Sequence, residues 1–242
     1  KFISHNSTKT NYIHSYMDKS KINGLAQAIL ENESRQLNNV AKQIDDDIVK
    51  ASELIIGNKG KLVICGLGKS GLIGQKIVAT LCSTGTKSVF VHAAEALHGD
   101  LGIYNPGDPT LLISKSGNTE ELVRLIPILR EFQSPLIALV GNMDSYMAKN
   151  VDIVLNGTIE SEVDPLGIVP TTSALAALAI GDALASVLMV RRGFNAEDFA
   201  RYHPGGELGK QLGLTVNHLI HPLEDVAIIL SLIHISEPTR QR

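Results

Sequence analysis

From Ser20 to Ile56 the apolar positions Leu25, Ala28, Ile29, Leu37, Val40, Ile44, Ile48 and Leu54 recur at helical spacing, with acids and lysines between them. This predicts one or two amphipathic helices leading into the fold. The period then changes. Five short β-rich runs follow, KLVIC, SVFVH, TLLIS, LIALVG and DIVLN, separated by helical stretches. Such alternation predicts a parallel sheet covered by helices on both faces. The segment TTSALAALAIGDALASVLMVRR, Thr171 to Arg192, is apolar all round, so the helix it predicts packs in a core or a subunit interface. Gly181 and Asp182 interrupt it, which favours a buried helix over a membrane span. Beyond Gly213, LTVNHLIHPLEDVAI opens something new, with too few residues after it to close a second core.

Composition narrows the class. A chain of 242 residues with 44% apolar content supports one large α/β domain, or one domain and a fragment. A net charge of -3 and 4% aromatics leave no basic face or stacking surface for nucleic acid. Cys65 and Cys82 lie far apart, without a CxxC motif or an apolar secretory segment, which points to a reducing cytoplasm and to two cysteines acting as small buried hydrophobes. The chain begins KFISHNSTKT without a Met. Its end, Leu230 to Arg240, resembles the translation of a transposon-end adapter used in DNA library preparation. A read-through tail is therefore expected, and His234 and Glu237 are assigned no function.

The chemistry concentrates in four loops. In KLVICGLGKSG, Gly66, Gly68 and Gly71 satisfy GxGxxG. A nucleotide-hydrolase phosphate loop needs a glycine where Val63 stands, so that reading fails. A dinucleotide site wants an acid ending the second strand, which here ends in Val91 and His92. The strand before and the helix after still fit a dinucleotide loop, with Glu95 as a late acid, so three readings of the glycines remain: that loop, another anion loop, or close packing of strand on helix. In LLISKSGNTEEL, Ser114, Ser116, Gly117 and Thr119 fall between a strand and a helix beginning near Thr119. Hydroxyls and backbone N–H groups at a helix N-terminus suit a phosphate monoester, although Ser and Thr there also serve as ordinary caps. Two such loops at the C-terminal ends of neighbouring strands sit where open α/β sheets bind ligands. His92 and His98, six apart in VHAAEALHGDLG, do not have metal-ligand spacing. His203 in ARYHPGGELG stands beside a Pro and paired glycines that bend the chain, which fits either an exposed functional imidazole or a solvated loop residue.

Together, CGLGKSG, STGT, VHAAEALHGDLG, SKSGNTEEL, DPLGIVPTTSALAALAIGDALA and FNAEDFARYHPGGELG resemble the D-arabinose 5-phosphate isomerases of the sugar isomerase (SIS) family. The likeness runs from about Ser20 to Gly213, and the HGDLG and HPGGELG pieces set it apart from other SIS proteins. It implies an α/β fold, a flavodoxin-like three-layer αβα sandwich with a five-stranded parallel sheet, over residues 20–213. It further implies the truncated start of a CBS domain over 214–229, before the non-native tail at 230–242. A cytoplasmic homotetramer with active sites at subunit boundaries is expected, with no cofactor, catalytic metal, nucleic acid or membrane.

The reaction implied interconverts D-ribulose 5-phosphate and D-arabinose 5-phosphate, which feeds synthesis of the lipopolysaccharide sugar Kdo. Moving a carbonyl between C1 and C2 requires a base, a cation for the enediolate, and proton shuttling between oxygens. The resemblance carries these roles to Lys69, His98, Glu121 and His203. Glu121 takes the carbon-bound proton, the histidines share oxygen or ring protonation, and Lys69 holds negative charge. Ser70, Ser114, Ser116 and Thr119 would cradle the phosphate, with Thr171, Thr172 and Ser173 completing the wall. The alternative is a sugar-phosphate-binding SIS regulator, which needs the cradle but neither Glu121 nor the histidines.

Overall fold

The computed structural model describes residues 19–206. The chain divides into two units, Lys1–Phe194 and Asn195–Arg242. The expected domain end at 213, the segment 214–229 and the tail 230–242 lie outside the described residues.

The first unit opens with the two helices that the early periodicity predicts, α1 (Lys19–Ala41) and α2 (Asp46–Gly57). Asp45 separates them by capping α2, its carboxylate accepting the Asp47 N–H at 2.9 Å, which fills one orphan donor of the new helix. Then follow β1 (Leu62–Gly66), α3 (Gly68–Ser83), β2 (Ser88–His92), α4 (Ala93–Ala96), a 3₁₀ turn (Asp100–Ile103), β3 (Thr110–Ser114) and α5 (Glu120–Glu131). The unit continues through β4 (Leu136–Val140), α6 (Tyr146–Asn150), β5 (Ile153–Asn156) and α7 (Thr172–Arg192). Each strand lies within a residue of its predicted run.

All strand pairs are parallel, in the order β2-β1-β3-β4-β5. β1, β3 and β4 are buried along their whole length, because helices cover both faces, and this is why they read as unbroken apolar runs. Alternate residues supply two cores. Leu62, Ile64, Leu111 and Ile113 face the layer holding α2, α3 and α7. Val63, Cys65, Leu112 and Ala138 face α4, α5 and α6. This is the three-layer sandwich expected.

α7 is long and apolar enough to cross a membrane by length and composition alone; here it packs on α1, α2 and α3, and Ala176, Ile180, Leu184 and Leu188, four apart, enter the core. One expectation is corrected. Cys65 is buried, and burial pushes its thiol up to about 12. Cys82, however, is exposed: Leu81 takes the inward position of α3, and the next residue is rotated about 100° away from the core. The Cys82 thiol donates to the Ser88 carbonyl at 3.3 Å.

In the second unit, α8 (Ala196–Tyr202) starts with a reciprocal cap. The Asn195 side chain accepts from the Asp198 N–H, and the Asp198 carboxylate accepts from the Asn195 N–H. Both ends of that first turn are satisfied locally.

Candidate active site

The chain leaves β1 for β2 on one side and reaches β3 on the other, so the loops after β1 and β3 diverge and open a crevice at the C-terminal edge of the sheet. The first loop needs its glycines for packing as well as for exposure. A Cβ on Gly66 would stand 3.0 Å from the Gly71 nitrogen and the Ser70 carbonyl oxygen, so strand and helix meet closely here. The close-packing reading therefore holds at Gly66, while the same turn delivers Lys69 and Ser70 at the start of α3. α3 and α5 both begin without a side-chain cap. Their first-turn N–H groups and positive dipole ends thus remain for something else to satisfy.

In the second loop the hydroxyls bind one another. Ser114 Oγ lies 2.7 Å from Thr119 Oγ1 and accepts the Gly117 N–H at 3.0 Å, and Ser116 Oγ accepts the Asn118 N–H at 3.2 Å. Thr119 precedes α5 but does not cap it through its side chain. Gly117, at φ +64, makes the turn, and a side chain there would run into Ser145. Glu121 follows, half-buried in the first turn of α5, while Glu120 is exposed and paired with Arg124.

A cavity of about 210 Å³ opens between these loops. Lys69 and Ser70 from α3, Lys115 after β3, Gly141 after β4 and Ser173 from α7 line it, over an apolar floor that includes Ile113 and Leu139. Lys115 is held in place by Glu162, whose Oε1 lies 2.6 Å from the ammonium. The Glu162 carboxylate is buried and also accepts from Ser173 Oγ at 2.5 Å, the Thr171 N–H at 2.9 Å, the Ser173 N–H at 3.1 Å and Thr171 Oγ1 at 3.1 Å. Burial alone would raise its pKa, but Lys115, Ser173 and the backbone donors outweigh that and hold it at about 2. A carboxylate thus closes the N-terminus of α7, where Thr171 and Ser173 were expected to face a phosphate.

The predicted residues therefore fall into three groups. Lys69, Ser70 and Ser173 line the cavity. Ser114, Ser116, Thr119 and Glu121 form the adjoining loop and helix start, and Thr171 and Thr172 sit at the head of α7, the Thr172 hydroxyl being buried without a partner among the described residues. His98 is exposed in the turn after α4 and does not line the cavity. His203 belongs to the second unit, where its ring stacks on Phe199 with centroids 3.8 Å apart. Its Nδ1 is 2.9 Å from the Phe199 carbonyl oxygen. A carbonyl only accepts, so Nδ1 carries the proton and a neutral ring keeps Nε2 as its acceptor.

Sequence reasoning missed Lys115 and Glu162. Lys115 stands inside SKSGNTEEL among residues that drew attention for their hydroxyls. Glu162 lies in an irregular stretch between β5 and α7, and the available signal was an acid placed ahead of a Thr-Thr-Ser helix start.

Comparison with known proteins places the chain. The SIS domain model matches residues 55–187. A Haemophilus influenzae protein named "Probable arabinose 5-phosphate isomerase" is 49% identical over 188 residues, covering 78% of this chain and 56% of that protein. Arabinose 5-phosphate isomerase KdsD of Pseudomonas aeruginosa is 44% identical over 205 residues, covering 85% of this chain and 63% of its own length. The chain thus spans only part of the length of these relatives. Among solved structures, an Escherichia coli CFT073 protein in complex with arabinose 5-phosphate superposes with a TM-score of 0.75 at 35% identity, over 78% of this chain and 100% of that one. With the SIS model matching more than half of its residues and a fully covered structural relative at 35% identity, the chain belongs to the SIS domain family.

Proposed function

We propose that the protein is an aldose–ketose isomerase that interconverts D-ribulose 5-phosphate and D-arabinose 5-phosphate, and that the aldose it makes feeds synthesis of the lipopolysaccharide sugar Kdo. The observation that carries the reading is the cavity at the β1–β3 crevice, where Lys69, Ser70, Lys115 and Ser173 meet. The relatives named as arabinose 5-phosphate isomerases and the neighbour bound to arabinose 5-phosphate support the choice of sugar.

In this reading the phosphate engages the two uncapped helix starts and the hydroxyls of Ser70, Ser114, Ser116 and Thr119. Glu121 removes a proton from C1 of the ketose, giving an enediolate, and returns one to C2. The proton on the C1 hydroxyl moves to the C2 oxygen, leaving an aldehyde at C1. His98 and His203 serve that oxygen-to-oxygen transfer and ring opening, the acceptor Nε2 of His203 being suited to it. Lys69 stabilises the enediolate charge. Glu162 acts as a positioning residue that keeps Lys115 beside the cavity. Which face of C2 receives the proton separates arabinose 5-phosphate from ribose 5-phosphate, so the base must work from one side.

The proposal extends to a cytoplasmic homotetramer with active sites at subunit boundaries, and to a CBS pair following the SIS domain in the full-length protein. No observation favours the regulator reading. The test is direct: purified protein is incubated with ribulose 5-phosphate and the mixture followed by ³¹P and ¹³C NMR. Arabinose 5-phosphate should accumulate to equilibrium; binding without any aldose would overturn the proposal.

A further inference from the structure

A second cavity, of about 170 Å³, lies at the opposite, N-terminal edge of the sheet, and the chemistry proposed above makes no use of it. It is lined where α2 leads into β1, where the turn after α3 leads into β2, and where α7 ends. Those segments bring Lys59, Lys61, Lys87 and Arg192 to one place, beside Gly85 and Thr86, and no Asp or Glu lines it. Helix C-termini carry partial negative charge, and cations near them are commonly explained by it. Two of the four already have partners within the protein. Arg192 donates to the Gly85 carbonyl at 3.0 Å, and Lys61 is neutralised by the buried Asp108 at 2.6 Å. Lys59 and Lys87 have neither an ion pair nor a side-chain hydrogen bond among the described residues. Thr86 is buried, and its hydroxyl has no partner among them either.

We infer that this cavity is a second anion site, built for a small group carrying two negative charges, such as a phosphate. The positive excess comes from the side chains of Lys59, Lys87 and Arg192, on three separate segments around a preformed hollow, so an anion entering it meets charge without rearranging the fold. Its volume is below the roughly 300 Å³ at which pockets begin to hold drug-sized ligands. It therefore accepts a phosphate head, with any larger remainder of the ligand outside. This inference stands independently of the isomerase reading.

The test uses inorganic phosphate as the probe. ¹⁵N-labelled protein is titrated with phosphate against chloride at constant ionic strength, following the amides of Gly60, Gly85, Thr86 and Lys87. Those signals should shift and saturate, and the double variant K59Q/K87Q should weaken the response there by at least about fivefold, as two screened charge contacts allow. The amides of Ser116 and Gly117 report the other edge and should respond as in the wild type, so each edge succeeds or fails by itself. Because both lysines are exposed, the variant keeps the fold, which an otherwise unchanged spectrum verifies. Shifts that never saturate, or the same isotherm in the variant, would overturn the inference.

Discussion

At the C-terminal edge of the sheet, α3 and α5 begin without side-chain caps, and the two lysines lining the cavity are only part of its attraction for an anion. At the N-terminal edge, α2, α3 and α7 end, so the helix ends there disfavour anions, and with Lys61 neutralised by Asp108 the attraction must come from Lys59, Lys87 and Arg192. The difference teaches how each edge is specified. Backbone donors are positioned by the fold itself, so in the proposed reaction the C-terminal edge holds a phosphate with few charges and leaves its remaining side chains for proton transfer. The N-terminal edge presents helix C-terminal ends instead, and its ionic groups serve stability and charge.

Breaking the comparison at its strongest point means removing the proposed base. Glu121→Gln keeps the shape of the side chain and cannot take a proton, so kcat should fall by about a hundredfold to ten-thousandfold, the usual range for a positioned general base. Ribulose 5-phosphate binding, read by calorimetry, should persist. His98→Asn and His203→Asn should each cost at least about tenfold in kcat. Near-normal turnover in the Glu121 variant would assign the base elsewhere.

The corresponding change at the other edge should leave chemistry alone and reduce stability. Asp108 is buried, and its carboxylate accepts from Lys61 Nζ at 2.6 Å, the Asn105 N–H at 2.9 Å and the Lys61 N–H at 3.1 Å. Burial would raise its pKa, but Lys61 and these backbone donors hold it below the usual carboxylate range. Asp108→Asn should cost up to about 3 kcal/mol, as expected when a charge-assisted bond to a buried carboxylate is weakened while Lys61 stays 22% exposed. Denaturant unfolding measures the loss, and turnover per folded molecule should be unchanged. A stable but inactive variant would mean that the two edges are coupled.

Glu162 sharpens the contrast, because it is a stabilising ion pair placed at the functional edge. Its pKa is lowered from 4.5 to about 2, so its contribution is fully present above about pH 4.5 and is lost as pH falls through about 2. A shift of that size corresponds to about 3 kcal/mol. Glu162→Gln should therefore be less stable than wild type by about that amount at neutral pH. The gap should close as both proteins are unfolded at successively lower pH. A gap that stays constant with pH would assign the loss to packing rather than charge.

The same contrast explains what the sequence disclosed. The five strands were legible because each is a short apolar run ended by Gly or a polar residue, and the cradle loops because their glycines and hydroxyls are contiguous. Lys115 and Glu162 were not, since they lie 47 positions apart and meet only when the segment ahead of α7 folds back beside β3. The cationic hollow is harder still: Lys59 and Arg192 come from opposite ends of the unit, and no local pattern announces them. Cys82 was misplaced because composition says nothing about which side of a helix a residue takes.

The smallest effect is expected between the two edges. Asp182, the acid that interrupts the apolar run of α7, reaches Lys76 on α3 at 2.5 Å and 2.7 Å. Both side chains are nearly half exposed, at 44% and 46%, so water and salt screen the pair, and ordering two flexible side chains offsets part of the attraction. The packing of α3 on α7 is carried instead by buried apolar contacts such as Ile77 and Ile180. Lys76→Ala should then change stability by about 1 kcal/mol or less, with the difference shrinking as salt rises, and leave turnover intact. Thermal unfolding at low and high salt reads the first, and the ribulose 5-phosphate assay the second. A loss well above about 2 kcal/mol would show that the pair, rather than the core beneath it, holds the two helices in register, and that charge matters to this sheet away from its edges too.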